Sequence, residues 1–174
     1  MILISSYHLC AQDVAIVKKY CRFVLNKFVK RSILSKATIK ISIVTENDLE
    51  HYDDIDDLKR YNAWCIYEGV QNDKKVFKVV LNQSQVTKAK NPLKRLKKLL
   101  IDLGHELVHV KQYLNCEMFD YVAGGVRYKG SYFDQSYQKS EELYYESPWE
   151  IEAYGREWGL FRMFVSKLEE EEKK

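Results

Sequence analysis

The stretch "GHELVH" (104–109) sets His105 and His109 four residues apart, with Glu106 between them. On a helix, positions i and i+4 share a face, so both imidazoles can point at one metal ion roughly 2.0–2.1 Å from each nitrogen. Glu106, about 100° further round, falls beside that ion rather than on it. A carboxylate in that place can take a proton from a metal-bound water, which is the chemistry of metal-assisted hydrolysis. The plain alternative is an incidental pair of surface histidines. Against it, the motif falls late in the most periodic apolar segment of the chain, after three strand-like stretches.

A working zinc site needs a third protein ligand and an open position for water. No histidine follows His109, and the place of the third histidine in an HExxHxxGxxH site is taken by Asn115. A carboxylate must therefore complete the set. The candidates are Glu117, Asp120, Asp134, Glu141, Glu142, Glu146, Glu150, Glu152 and Glu157. The stretch "SPWEIEAY" (147–154) narrows the choice. Ser147, Pro148 and Glu150 read as a capping box with proline at the first helical position, which turns Glu150 back toward the Ser147 N–H. Glu152, about 200° from Glu150 around the helix, is then the expected ligand. A ligand on a helix is also better fixed than one in the segment 117–146. This division of labour requires the helix to start at Ser147; with any other start, Glu150 is the rival ligand.

The elements that must position these groups follow from periodicity. Residues 11–34 read as a long amphipathic helix, with Val14, Val17, Tyr20, Cys21, Val24, Leu25 and Phe28 at helical spacing. "ATIKISIVT" (37–45) alternates at period two and reads as a strand, followed by an acidic loop or short helix over 46–60. "NAWCIYEGV" (62–70) and "KKVFKVVLN" (74–82) read as a hairpin joined by "QND". The metal helix runs from about Pro92 to about Asn115, with Leu93, Leu96, Leu100, Leu103, Leu107, Val110 and Leu114 as its stripe. Gly104 inside it costs about 1 kcal/mol against alanine, which points to a close backbone approach. The region 117–146 is aromatic and irregular, with a strand or hairpin around Gly124 and Gly125. A last helix runs from Ser147 to about Glu170 and buries Ile151, Trp158, Leu160, Phe161, Phe164 and Val165. The expected architecture is α+β: a long N-terminal helix, a small and mainly antiparallel sheet, the HExxH helix, and a C-terminal helix carrying the third ligand.

With 174 residues, 46% hydrophobic and 30% charged, the chain reads as one globular domain over 1–174. The amino terminus lacks a basic n-region, and no apolar run reaches the roughly 18 residues of a membrane span. A cytoplasmic protein without a membrane partner is expected. Cys10, Cys21, Cys65 and Cys116 are scattered, without a CxxC pair, and read as reduced and mostly buried thiols. The net charge of +3 is too small to imply a nucleic-acid partner. The basic run "KAKNPLKRLKK" (88–98) is read first as the solvated start of a helix, and second as an anion-binding patch.

Together, "GHELVHVKQY" and "PWEIEAYGRE" resemble the gluzincin type of zinc metallopeptidase, with HExxH on one helix and a glutamate followed by alanine on the next. The likeness is nearest to the small single-domain minigluzincins, many of them from bacterial or phage genomes. It implies a zincin-like fold, one Zn2+ and a peptide or protein substrate. Carried over, His105, His109 and Glu152 match the zinc ligands and Glu106 the general base. It also implies that an edge strand by the metal helix pairs with an extended substrate, a place taken here by "KVFKVVLN" (75–82). The chain departs from the larger gluzincins, where an aspartate four positions after the ligand glutamate orients the first histidine. That position is Arg156 here, and Asp102 or Gln112, on the histidine face, stands in for it. The segment between His109 and Glu152 is longer than in the compact members.

Stabilisation of a developing oxyanion falls to a Tyr, His or Arg, with Tyr128, Tyr137, Tyr144, Tyr145 and Arg156 as candidates. Among 13 tyrosines, most serve packing. His8 and His51 have no partners at ligand spacing and carry no role. The expected function is a zinc-dependent peptidase. The alternative is a catalytically silent zinc-binding module of the same fold, associated with nucleic acid through the basic run. A structural zinc site does not need the glutamate of HExxH, which favours the enzyme.

Overall fold

Period-two stretches of apolar residues assemble the main sheet. The computed structural model describes residues 1–6, 9–45, 48 and 62–173. Strands β1 (Ile2–Ser6), β2 (Ala37–Val44), β3 (Ala63–Gln71) and β4 (Lys74–Asn82) form one sheet in the order β1-β2-β4-β3. The hairpin between β3 and β4 turns through Asn72 and Asp73, both at positive φ (48° and 59°), as a tight two-residue loop requires. The acidic stretch 46–60, apart from Asp48, lies outside the described residues, as do His8 and His51.

The main sheet is not mainly antiparallel, as expected, but mixed. β1 pairs parallel with β2, and β2 parallel with β4; only β3 runs antiparallel to its neighbour. The reason is the crossover. Helix α1 (Ala11–Phe28) carries the chain from the end of β1 back to the start of β2, which leaves the two strands pointing the same way. β4 then inserts between β2 and β3, so the sheet edge beside the HExxH helix is β3, not the 74–82 strand. β1 itself has no counterpart in the sequence reading.

The expected 11–34 helix breaks at Val29, which is extended (φ −121°, ψ 128°) and buried, before a single turn, α2 (Arg31–Leu34). The expected helix from Pro92 is also two: α3 (Pro92–Arg95), capped by the Asn91 side chain, and α4 (Lys97–Leu114), divided at buried Leu96. The basic run serves this junction. Arg95 binds both carboxylate oxygens of Asp13 at 2.7 and 3.0 Å and the carbonyl oxygens of Ala89 and Lys90. Lys97 lies over the Trp158 ring and Lys98 pairs with Asp102.

α4 runs through the middle of the molecule, and every residue from Leu99 to Gln112 is buried. Its apolar side joins Val17, Tyr20 and Val24 of α1 and Ile39, Phe77 and Val79 of the sheet in the main core. Gly104 is a close approach as expected: a Cβ there would lie 2.5 Å from Tyr20 Oη. A second, antiparallel sheet follows, β5 (Met118–Asp120), β6 (Val126–Tyr128) and β7 (Ser131–Phe133), with Val126 and Tyr128 packed on Trp149. Short helices α5 (Ser136–Lys139) and α6 (Glu141–Glu146) lead into the long α7 (Pro148–Glu172). No helix among the described residues is long and apolar enough to cross a membrane.

α7 lies antiparallel to α4, pairing Gln112 with Trp149, His109 with Glu150 and His105 with Glu157. Its buried face is Trp149, Glu150, Ala153, Leu160, Phe161 and Phe164. The expected face is corrected at its beginning, because Ile151 and Trp158 are 58% and 50% exposed. The four cysteines are free, and Cys10 and Cys116 are exposed rather than buried.

Candidate metal centre

Six polar side chains of α4 are buried: Asp102, His105, Glu106, His109, Lys111 and Gln112. Buried polar groups require partners, and α7 supplies most of them. Glu150 Oε2 lies 3.1 Å from His105 Nε2, and Glu150 Oε1 lies 3.3 Å from His109 Nε2. The two Nε2 atoms are 3.1 Å apart. His105, His109 and Glu150 are the one group among the described residues with the separations of a shared metal ion.

Glu150 thus takes the place expected for Glu152, and the correction has a physical cause. The helix does begin at Pro148 with Ser147 as its cap, but no capping box forms: the Ser147 hydroxyl makes no cap bond and Glu150 turns away from it. The face of α7 that packs on α4 decides which carboxylate meets the two histidines. Following the buried stripe backward from Phe164 through Leu160 and Ala153 by steps of three, four and seven reaches Glu157 and Glu150, never Glu152. The capping box expected at Ser147, which would set Glu150 aside, does not form.

Outer hydrogen bonds fix both rings. Glu157 Oε2 stands 3.1 Å from His105 Nδ1, and Gln112 Oε1 stands 2.9 Å from His109 Nδ1. A carboxylate and an amide oxygen accept here, so each Nδ1 carries a proton, and each Nε2 is the nitrogen that can take an ion once it gives up its own proton. Both Nε2 atoms are thus turned toward the Glu150 carboxylate, the inner side of the group. Ligand atoms arranged tetrahedrally 2.0–2.1 Å from an ion lie about 3.3 Å from one another. The donor set and its spacing fit one zinc ion.

The electrostatics agree. Burial alone would depress the His105 pKa, but Glu150 and Glu157 outweigh it and push it up to about 10. Burial would raise the pKa of Glu150, yet the two histidines bring it down to about 2. Each shift reflects the pairing of the imidazoles with the carboxylates beside them. Glu106, buried beside them, is pushed up to about 7 by loss of hydration, against the opposing pull of His109 and His105.

No protein-family model, curated protein or solved structure matches the chain.

His109, Glu106 and Glu150 line a cleft of about 890 Å³. Ala63, Trp64 and Cys65 of the β3 edge line it too, as do Tyr144 and Tyr145 of α6. Of the tyrosines considered for oxyanion stabilisation, these two face the cleft; Tyr144 is held neutral by burial and by the Glu150 carboxylate. Tyr137 packs against Phe133 and Trp149. Tyr128 and Arg156 both bind Glu152, at 2.6 and 3.0 Å, behind the site. Asp102 pairs with Lys98 and meets neither ring nitrogen, so the orienting role falls to Gln112 for His109 and to Glu157 for His105. Glu157 stood in the sequence only among candidate ligands. Tyr154, whose ring meets His105 edge-on at 4.4 Å, was missed; its place four residues after Glu150 is the signal that finds it.

Proposed function

We propose that the chain is a zinc-dependent hydrolase, and specifically a peptidase, with His105, His109 and Glu150 as ligands and Glu106 as general base. The observation that carries this reading is the convergence of two Nε2 atoms and a carboxylate, 3.1–3.3 Å apart, at a cleft that also holds a buried glutamate. A bound zinc ion supplies Lewis acidity, which brings the pKa of a coordinated water to about 7 and polarises a carbonyl.

The chain's own residues supply the rest. Glu106, with a pKa pushed up to about 7, can accept a proton from water near neutral pH and return it to the leaving amine. Tyr144, kept neutral, is an O–H donor in the cleft for the oxygen that gains charge. Among the described residues β3 is an edge strand of the main sheet and three of its residues line the cleft, a place where an extended chain could pair, which favours a peptide substrate over a small molecule. The likeness of "GHELVH" to the gluzincin helix supports the same reading; the glutamate matched in that likeness is Glu152, followed by Ala153, so the role of Glu150 rests on its packing against the histidines alone.

The test is Glu106→Gln, assayed on a library of fluorogenic peptides with zinc content measured in parallel. Retained zinc with turnover lowered at least about a hundredfold supports the mechanism, since positioned proton transfer contributes about 10²–10⁴-fold. Native turnover by this variant contradicts it.

A further inference from the structure

Glu152, first expected on the metal, stands one layer behind it. We infer that Glu152 is a positioning residue of the metal site, acting through the Gln112 amide to fix the tautomer of His109. The inference rests on the reading of His105, His109 and Glu150 as ligands.

Gln112 is fully buried. Its amide nitrogen lies 3.0 Å from the Trp149 carbonyl oxygen and 3.3 Å from Glu152 Oε2. Both are acceptors, so the two N–H groups of Gln112 are directed there. Turning the amide over would set its oxygen against two other oxygens deep in the protein, which fixes the orientation. Oε1 is left facing His109 Nδ1 at 2.9 Å. Only the tautomer with its proton on Nδ1 can donate to it, and that tautomer presents a bare Nε2 to the metal position. The opposite tautomer would oppose two lone pairs at Nδ1 and place a proton where the ion belongs.

Glu152 is itself held from several elements. Tyr128 of β6 donates to it at 2.6 Å, Lys111 of α4 at 2.8 Å, Arg156 of α7 at 3.0 Å and Lys129 at 3.4 Å. Lys111 is tied in turn to Glu117, at 2.6 Å. A carboxylate with so many donors stays ionised, cannot donate, and so always calls for the Gln112 N–H. The two ligand histidines are thus oriented by different means. His105 has a carboxylate directly on Nδ1, whereas His109 has a neutral amide that needs a carboxylate behind it.

The experiment uses the zinc-loaded full chain with 15N-labelled histidine. In the wild type, the His109 Nδ1–H proton is expected as a slowly exchanging resonance, with Nε2 at the shift of a metal-bound nitrogen. Glu152→Ala is expected to speed exchange of that proton and to weaken zinc binding roughly 10- to 100-fold, the usual cost of losing an outer partner. Glu152→Gln, whose amide oxygen still accepts from Gln112, restores most of both. The His105 Nδ1–H signal stays unchanged throughout, which general loosening of the site would not allow. If Glu152→Ala does not fold, Tyr128→Phe removes one of the donors that hold Glu152 and shifts the His109 signal in the same direction by less. Wild-type exchange and zinc affinity in the folded variant overturn the inference, as does a joint shift of both histidines. Failure of the wild type to bind zinc defeats the ligand reading itself, and is seen before any variant is made.

Discussion

Glu157 Oε2 lies 3.1 Å from Nδ1 of His105, while Glu150, seven residues earlier on α7, meets Nε2 of the same ring. One helix thus grips both nitrogens of one imidazole, two turns apart. The ring cannot rotate without breaking a contact at one end or the other.

Removing the outer grip is predicted to weaken the site without abolishing it. Glu157→Ala lowers zinc affinity roughly 10- to 100-fold, the usual cost of an outer partner, measured by competition with a chromophoric chelator. Unchanged affinity would show that the ring is oriented by packing against Tyr154 instead.

Glu150→Ala and Glu152→Gln separate the two glutamates of "SPWEIEAY". The first is expected to abolish stoichiometric zinc, a greater loss than the 10- to 100-fold cost of an outer partner; the second keeps one zinc per chain under saturating metal. Elemental analysis after dialysis reads both.

The metal-free protein carries its own pH signature. His105 is raised from 6.5 to about 10, so its contribution to stability is full below about pH 6.5 and is lost as pH rises through about 10. Glu150 is lowered from 4.5 to about 2, so its contribution is full above about pH 4.5 and is lost as pH falls through about 2. For these two groups, the metal-free chain is most stable between about pH 4.5 and 6.5. Zinc binding at pH 7 displaces the imidazolium proton of His105, and affinity rises with pH. Calorimetry in buffers of different ionisation enthalpy counts that proton; zinc uptake without proton release would contradict the assignment.

Gly104 offers a test away from the chemistry. A Cβ there meets Tyr20 Oη at 2.5 Å, and that hydroxyl is buried with no hydrogen-bond partner among the described residues. Gly104→Ala is predicted to destabilise by about 1–3 kcal/mol from overpacking, partly offset by about 1 kcal/mol of helix propensity. Adding Tyr20→Phe removes the clashing atom and recovers the loss. Thermal melts of the single and double variants measure both effects.

What the sequence reveals here follows the range of the interaction. His105, Glu106 and His109 depend only on the turn of one helix, and their spacing is enough to group them. β2, β3 and β4 follow from alternation, and the tight turn from Asn72 and Asp73. The parallel pairing of β2 with β1 depends on a crossover that alternation does not encode, and β1 is five residues at the rim of the sheet. The third ligand depends on which side of α7 tertiary packing buries. The capping-box reading of Ser147 and Glu150 sets Glu150 aside, although Ala153, Leu160, Phe161 and Phe164 mark its side of the helix as the buried one. Gln112 and Glu157 matter through contacts between helices, which no local pattern announces.

The most direct measurement is a crystal structure of the zinc-loaded chain with anomalous data at the zinc edge. One ion is predicted about 2.0–2.2 Å from His105 Nε2, His109 Nε2 and a Glu150 oxygen, with water in the fourth position. A zinc ion bound elsewhere, or held by Glu152 in place of Glu150, would contradict the account.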